Sequence, residues 1–219
     1  MRVLTPAALT LTALFAWSSP ARAQPCLGLP SFEVGAFRGN LSAEFPEGST
    51  TFAAGLGAGR HNSIFGTVGG GVINYDDSDE SARLAFVEAG WQIPVSHAQV
   101  CPLVGGFYAW GPDNEEFGLT TRSHGLSAGL ALGAPVTLSA VTLIPNIAVR
   151  YQSSTAEVTE EGIGSAESDA SGNLLDLGLA LLLANRISIQ PLYHIPFGGD
   201  FDEEDPQWGL FVSLAVGRR

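Results

Sequence analysis

The sequence contains no lysine, one methionine and only two cysteines, and all of its basic residues are arginines. Acidic residues outnumber basic ones by 22 to 10, which gives a formal net charge of -12. A chain this acidic repels a polyanion, so nucleic acid is not expected as a partner. After residue 23 no apolar stretch approaches the ~20 residues that a membrane-spanning helix needs, which argues against a helical membrane protein. The sequence does contain 27 glycines and many short apolar segments.

The first 23 residues have the three parts of a secretory signal peptide. Arg2 makes the start basic, residues 3–17 are apolar, and residues 21–23 read Ala-Arg-Ala, with small residues at alternate positions. The apolar run is shorter than a spanning helix, which argues against an N-terminal membrane anchor. We therefore expect residues 1–23 to direct export and to be cleaved off after Ala23.

The exported chain is expected to consist of a short periplasmic segment, residues 24–30, and one domain, residues 31–219. Cys26 lies in the first part and Cys101 in the second. A disulfide between them is expected because exported proteins mature in an oxidising compartment. Neither cysteine has a CxxC partner or a nearby histidine, so a metal site is the poorer interpretation. Two free thiols are the other alternative.

Apolar residues recur with period two along the chain, which indicates strands with unlike faces. The stretch from Asn173 to Ile195 shows the pattern best, since one face is large and apolar while the other is mixed, small or charged. The first face carries Leu175, Leu177, Leu179, Leu181 and Leu183, and the second carries Leu174, Asp176, Gly178, Ala180 and Leu182.

The same pattern predicts an all-β barrel of about ten strands, with eight as the alternative. The predicted strands are residues 31–45, 50–60, 62–75, 82–94, 100–110, 123–135, 140–152, 172–184, 186–197 and 207–217. Their lengths match the ~9–11 residues of a tilted transmembrane strand with some overhang. Their connections alternate between tight turns and longer polar loops, of which 153–171 is the longest. This alternation is typical of an up-and-down transmembrane β-barrel.

Acidic residues are sorted to one end of this predicted barrel. All of them except Glu33, Glu88 and Asp176 lie in the five longer connections or in the strand ends beside them. The tight turns instead carry Arg60 and Arg186. Most aromatic residues also lie near strand ends, where an interfacial girdle explains them. A soluble β-sandwich gives no reason for this sorting, so we expect a membrane barrel with acidic outer loops.

The last predicted strand contains a local motif. Gln207 is followed by Gly209 and then by Val212 and Leu214 at alternate positions. Together with the period-two strands, this segment resembles the small outer-membrane β-barrel proteins of Gram-negative bacteria and their C-terminal assembly signal. The resemblance covers residues 31–219. It implies an outer-membrane location with periplasmic termini and extracellular long loops. It also implies the barrel assembly machinery, outer-membrane lipid and lipopolysaccharide as partners.

Two acidic segments, residues 76–80 and 200–205, raise the question of a metal site. Neither has the glycine and ligand spacing of an EF-hand loop. A solvated anionic surface is the simpler interpretation. Weak bridging by divalent cations between these loops and lipid head groups is an intermediate one. We expect no cofactor and no dedicated metal site.

A three-residue turn at residues 184–186 would fix the pairing of its two strands, because opposed residue numbers then sum to 370. All outward pairs are then apolar, whereas a one-residue slip would mix the faces. The same register sets Asp176 opposite His194 on the inward side, where Glu88 and Arg150 also point. We predict a lumen network of these four residues. The alternative is catalytic, with Asp176 orienting His194 as a general base.

Three functions follow from this interpretation. A barrel this small should be filled by side chains, which favours a non-enzymatic protein of envelope structure or surface interaction. A narrow channel, or a lateral path for small or apolar solutes, is the second. A surface hydrolase using Asp176 and His194 is the third, although the local motifs of barrel proteases and lipid-modifying barrels are not found in the sequence.

Overall fold

The computed structural model describes residues 23–76, 80–112, 119–138, 141–160, 162–202 and 204–217. Strands dominate these residues, together with one short 3-10 helix, Pro25–Leu27. No helix in these ranges is long and apolar enough to cross a membrane. Residues 1–22, which hold nearly all of the predicted signal peptide, lie outside the described residues.

Ten long strands form one antiparallel sheet that closes into a barrel. In chain order the strands of the molecule are β1 (Ala23–Gln24), β2 (Leu29–Pro30), β3 (Phe37–Phe45), β4 (Ser49–Gly59), β5 (Ile64–Tyr75), β6 (Ser81–Trp91), β7 (Ile93–Val95), β8 (Ala98–Trp110), β9 (Leu119–Gly133), β10 (Val136–Leu138), β11 (Val141–Glu160), β12 (Gly164–Leu183), β13 (Ile187–Gly199) and β14 (Gln207–Val216). Short strands β7 and β10 extend the sheet beside β8 and β11, and β1 pairs with β2. The other ten strands pair in chain order, and β14 pairs with β3 to close the barrel. The predicted ten strands are confirmed, and the alternative of eight is wrong.

The barrel has an apolar outside and a mixed inside, because side chains alternate between the two faces of a strand. Leu126 is 73% exposed on the outer face, whereas Asp176 on the inner face is 6% exposed. The exposed apolar residues form a belt around the barrel, and they include Leu41, Leu56, Val68, Val87, Val104, Leu126, Leu130, Leu177, Leu179, Leu210 and Leu214. The inner face is filled by small residues, a few large apolar ones and the charged groups described below.

The turn between β12 and β13 has the predicted register. Leu183 pairs with Ile187 and Leu177 pairs with Tyr193, as a sum of 370 requires. The turn residues Ala184 and Asn185 have φ of 48° and 58°, and the chain continues directly into β13. A bulge shifts the register only at the far end of the hairpin, beside Gly172. The prediction for this hairpin is confirmed.

The predicted loop 153–171 is wrong, because these residues continue the sheet. β11 and β12 stay paired until Glu160 stands opposite Gly164, and β9 accompanies β11 as far as Leu119. The outer part of this hairpin is exposed on both faces. A strand with water on both sides needs no apolar face, so its period-two signal is lost. We call this end of the barrel the hairpin end.

The first predicted strand, 31–45, is also wrong at its start, because β3 begins at Phe37. Residues 23–36 instead fold inside the opposite end of the barrel, and we call them the plug. The predicted periplasmic segment 24–30 therefore lies inside the lumen, where the barrel wall surrounds it. Glu33, expected in a strand, lies in a turn of the plug. We call this end of the barrel the plug end.

Candidate functional site

Asp176 and His194 form the centre of a polar network inside the barrel. They are paired residues on β12 and β13, and both side chains point inward. The His194 Nδ1–H donates to Asp176 Oδ1 at 2.7 Å. Asp176 is buried and His194 is mostly buried, so water competes little for this hydrogen bond. The predicted juxtaposition of these two residues is present in the structure.

Arg150 extends the network to a third strand and then along the wall to a fourth. Its Nε lies 2.9 Å from Asp176 Oδ2, and its Nη1 donates to Glu88 Oε2 at 3.0 Å. Glu88 is on β6 and Arg150 is on β11, with two strands of the wall between them. All four residues of the predicted lumen network are thus brought together. The network links four strands of the barrel through charged groups.

Glycines occupy the positions of the two intervening strands beside Glu88 and Arg150, and the glycine next to Arg150 makes room for its side chain. Gly105 on β8 pairs with Glu88, and Gly129 on β9 pairs with Arg150. A Cβ at Gly129 would lie 2.9 Å from the Arg150 Cγ, which is closer than such atoms approach. The Arg150 side chain can therefore lie flat along the wall until it reaches Glu88.

The second ring nitrogen of His194 is enclosed by the wall. Nε2 is buried and has no hydrogen-bond partner among the described residues. It faces Gly209 on β14, where a Cβ would lie 3.4 Å from this nitrogen and 3.3 Å from the Glu44 Cγ. A general base must reach the proton that it removes. The geometry holds His194 between its neighbours and gives this nitrogen no open path to a substrate.

The plug is tied to the wall by a disulfide between Cys26 and Cys101. Their Cα atoms are 5.9 Å apart and both residues are buried. The disulfide lies in a cluster of buried apolar residues from the plug and the barrel wall, namely Phe32, Phe65, Leu103, Ala131 and Ala148. This cluster is the apolar core of the plug end. The expected disulfide is present.

Arg38 is the second arginine on the inner face of the barrel and was not predicted as a site residue. It lies at the start of β3 and is fully buried against the plug. Its Nη1 donates to Gln24 Oε1 and, at 3.5 Å, to the Pro30 carbonyl oxygen. Its guanidinium stacks 4.0 Å above the Phe32 ring. The inward parity of Arg38 could have been read from the sequence, but the plug residues around it could not.

Two further contacts fix the plug against other strands of the wall. The Ser188 hydroxyl on β13 donates to the carbonyl oxygen of Gly28, whose φ of 65° ends the 3-10 helix. Gly133 on β9 lies so close to the plug that a Cβ there would overlap the carbonyl oxygen of Pro25. The plug therefore fits a space that the wall leaves open by having glycine at this position.

The predicted assembly-signal residues lie on both faces of β14. Gln207 pairs with His194 and Gly209 packs beside the same histidine, so these two positions face the lumen network. Val212 and Leu214 lie on the outer face, where Leu214 is exposed. Recognition of this strand by an assembly machinery stays a prediction.

The acidic segments give no metal centre within the part of the chain that the structure describes. No group of three His, Cys, Asp or Glu residues there has a suitable arrangement. Asp200 Oδ2 accepts from the Ser171 N–H at 2.8 Å, and Asp202 Oδ1 accepts from the Gly198 N–H. These two carboxylates therefore cap the backbone at the hairpin end. Part of the other segment, residues 77–79, lies outside the described residues.

Comparison with known proteins gives structural matches only. No family model matches the chain, and no curated protein matches it. Solved structures with a similar fold include the N-terminal β-barrel domain of Pseudomonas aeruginosa OprF, at 8% identity and a TM-score of 0.35, covering 81% of this chain and 95% of that one. Ail, the attachment invasion locus protein of Yersinia pestis, matches at 9% identity and a TM-score of 0.40, covering 81% and 93%. The KdgM porin, solved with disordered oligogalacturonate, matches at 8% identity and a TM-score of 0.43, covering 82% and 99%.

Proposed function

We propose that this protein is a non-enzymatic β-barrel of the bacterial outer membrane with a lumen blocked by its own residues. The observation that carries this proposal is the filled interior. The plug occupies one end, and the charged side chains of Glu88, Arg150, Asp176 and His194 lie inside the barrel along its wall. The belt of exposed leucines and valines supports a bilayer as the surroundings, because a water-exposed belt of this kind would aggregate.

The hairpin end is proposed to face the cell exterior. The extended hairpin of β11 and β12 and the acidic connections lie at this end, whereas the plug end has short turns with Arg60 and Arg186. Outer-membrane barrels have their longer connections outside. Lipopolysaccharide and outer-membrane lipid would then surround the hairpin end, and the barrel assembly machinery would insert the chain from the plug end. The function would be structural or a surface interaction through the hairpin.

The lumen network supports a structural role better than a hydrolytic one. Asp176 does orient His194, as a catalytic pair would require. However, Asp176 is also held by Arg150, and the His194 Nε2 faces the wall rather than solvent. Side chains of Arg150, Asp176 and His194 that are paired with one another hold their three strands together. Chemistry at the cell surface would need one of them to be open to a substrate.

Conductance across a planar bilayer tests the proposal. The refolded mature protein is expected to give no defined conductance steps, since residues of the plug and network occupy the lumen. Defined steps from the intact, oxidised protein would contradict the proposal and favour a narrow channel. Hydrolysis of a lipid or peptide that is lost in a folded His194→Ala variant would favour the hydrolase.

A further inference from the structure

Three exposed residues form a row across neighbouring strands at the hairpin end. Arg83 on β6 pairs with Trp110 on β8, and Trp110 pairs with Arg122 on β9. All three lie on the outer face and are exposed. Paired residues on adjacent strands lie about 5 Å apart, so the two arginines are separated by roughly 10 Å with the indole ring between them.

These arginines have an unusual position among the basic residues of the chain. Of the other arginines in the described ranges, Arg38 and Arg150 are engaged inside the barrel, and Arg60 and Arg186 lie at turns of the plug end. Neither Arg83 nor Arg122 has an ion-pair partner among the described residues. Both arginines therefore lie on the outer face of a strongly acidic protein without a close ion pair, although Glu157 is the cross-strand neighbour of Arg122. Their guanidinium groups are open to a ligand that approaches from the side of the barrel.

The next row toward the middle of the barrel also has an aromatic and a polar side chain on the outer face. Tyr108 pairs with His124, and the Tyr108 ring lies 6.0 Å from the Trp110 ring. Both residues are exposed on the outer face, so an imidazole and a phenol hydroxyl stand beside the arginines. Below this row the surface is apolar, with exposed Val87, Val104 and Leu126. The patch thus has a polar, cationic upper part and an apolar lower part.

The acidic residues on the same face limit the patch on one side. Glu157 on β11 pairs with Arg122 on the side away from Trp110, and Glu157 pairs in turn with Glu167 on β12. Asp169 lies one row nearer the middle of the barrel, where it pairs with Thr155. Asp169 Oδ1 accepts from the Thr155 hydroxyl at 2.6 Å, so it is held by its own hairpin. An anion would therefore be attracted toward Trp110, between the two arginines, and repelled from the hairpin.

We propose that Arg83, Trp110 and Arg122, with Tyr108 and His124, bind the phosphate group of a membrane lipid in the surrounding leaflet. Two guanidinium groups match the charge and the oxygen geometry of a phosphate. The aromatic rings lie where the polar and apolar parts of a lipid meet. The acyl chains would lie along Val87, Val104 and Leu126. This site rests on the proposed bilayer location, since a soluble barrel would offer no lipid.

Native mass spectrometry of the refolded protein in neutral detergent tests the site. Phosphatidic acid is the probe, and diacylglycerol with matching acyl chains is the control lipid. The unmodified protein is expected to retain phosphatidic acid and not diacylglycerol. The Arg83→Gln/Arg122→Gln variant is expected to bind phosphatidic acid at least about tenfold more weakly, because two charge-assisted contacts are lost.

The matched control is Arg60→Gln/Arg186→Gln, which removes the same charge at the plug end. It is expected to bind phosphatidic acid like the unmodified protein. An equal loss in both double variants would overturn the site, because general electrostatics would then explain the binding. Full competition by inorganic phosphate would also overturn it, since a free anion would then be the ligand. Circular dichroism and heat-modified gel migration show that each variant is folded. Channel activity in bilayers would contradict only the proposed function.

Discussion

The Arg150 side chain reaches Glu88 across two intervening strands, with 3.0 Å between Nη1 and Oε2. These residues are 62 positions apart in the chain. The contact joins parts of the wall that share no backbone hydrogen bonds. With Asp176 and His194 it forms a cross-link along the inner face of the wall, so its loss should weaken the barrel as a whole.

Replacing Arg150 by Met should lower the free energy of unfolding by about 3 kcal/mol or more, because Glu88 and Asp176 would be left without their cation. Urea unfolding in detergent micelles measures this. The triple variant with Glu88→Gln and Asp176→Asn should recover much of the loss, since the uncompensated carboxylates are removed together. A single variant as stable as the unmodified protein would show that the network contributes nothing.

Replacing His194 by Ala should destabilise the barrel by about 1–3 kcal/mol, because Asp176 Oδ1 loses its donor in a buried position. The matched control is His124→Ala, whose side chain is exposed on the outer face and should change stability little. The same urea titration compares them. A His194→Ala variant of unchanged stability that loses a measured hydrolytic activity would instead point to catalysis.

Replacing Leu179 by Arg should cost roughly 2–4 kcal/mol, because the side chain lies on the outer face in the apolar belt. Ser165 lies on the same strand but in the exposed part of the hairpin, so Ser165→Arg should be close to neutral. Unfolding from lipid vesicles compares the two variants. Similar costs at both positions would argue against a membrane around the belt.

Replacing Gly133 by Ala should displace the plug, because the added Cβ would overlap the Pro25 carbonyl oxygen. Increased proteolysis of residues 24–36 and new bilayer conductance are the expected signs. Gly39→Ala is the control, since no described heavy atom lies within 4 Å of the Cβ position there. Protection of the plug in the Gly133→Ala variant would mean that the segment is held in another way.

The disulfide that joins the plug to the wall can be tested on the unmodified protein. Intact mass measurement of the native protein should find no free thiol, with Cys26 and Cys101 recovered in one cross-linked peptide. Replacing both by Ser removes a link across 75 residues and should cost about 4 kcal/mol on chain-entropy grounds. Free thiols in the native protein would rule the link out.

The sequence was sufficient to predict strands and their register where one face of a strand is apolar. The β12–β13 register and the contact of Asp176 with His194 followed from the leucine pattern, because slippage would have turned leucines inward. The hairpin beyond Ser153 could not be predicted, since both of its faces meet water. The plug could not be predicted either. Its contacts, such as Pro25 with Gly133 and Gly28 with Ser188, join distant residues and leave no periodic signal.

The position of the plug also sets an order of events during biogenesis. The plug precedes every strand of the wall in the chain, yet it contacts Gly133 on β9 and Ser188 on β13, which are synthesised much later. The seam between β3 and β14 closes the wall around it. The plug must therefore enter the barrel while that seam is still open, or pass through one end afterwards. Locking by the disulfide would make the first half of the wall a covalent ring before the second half is complete.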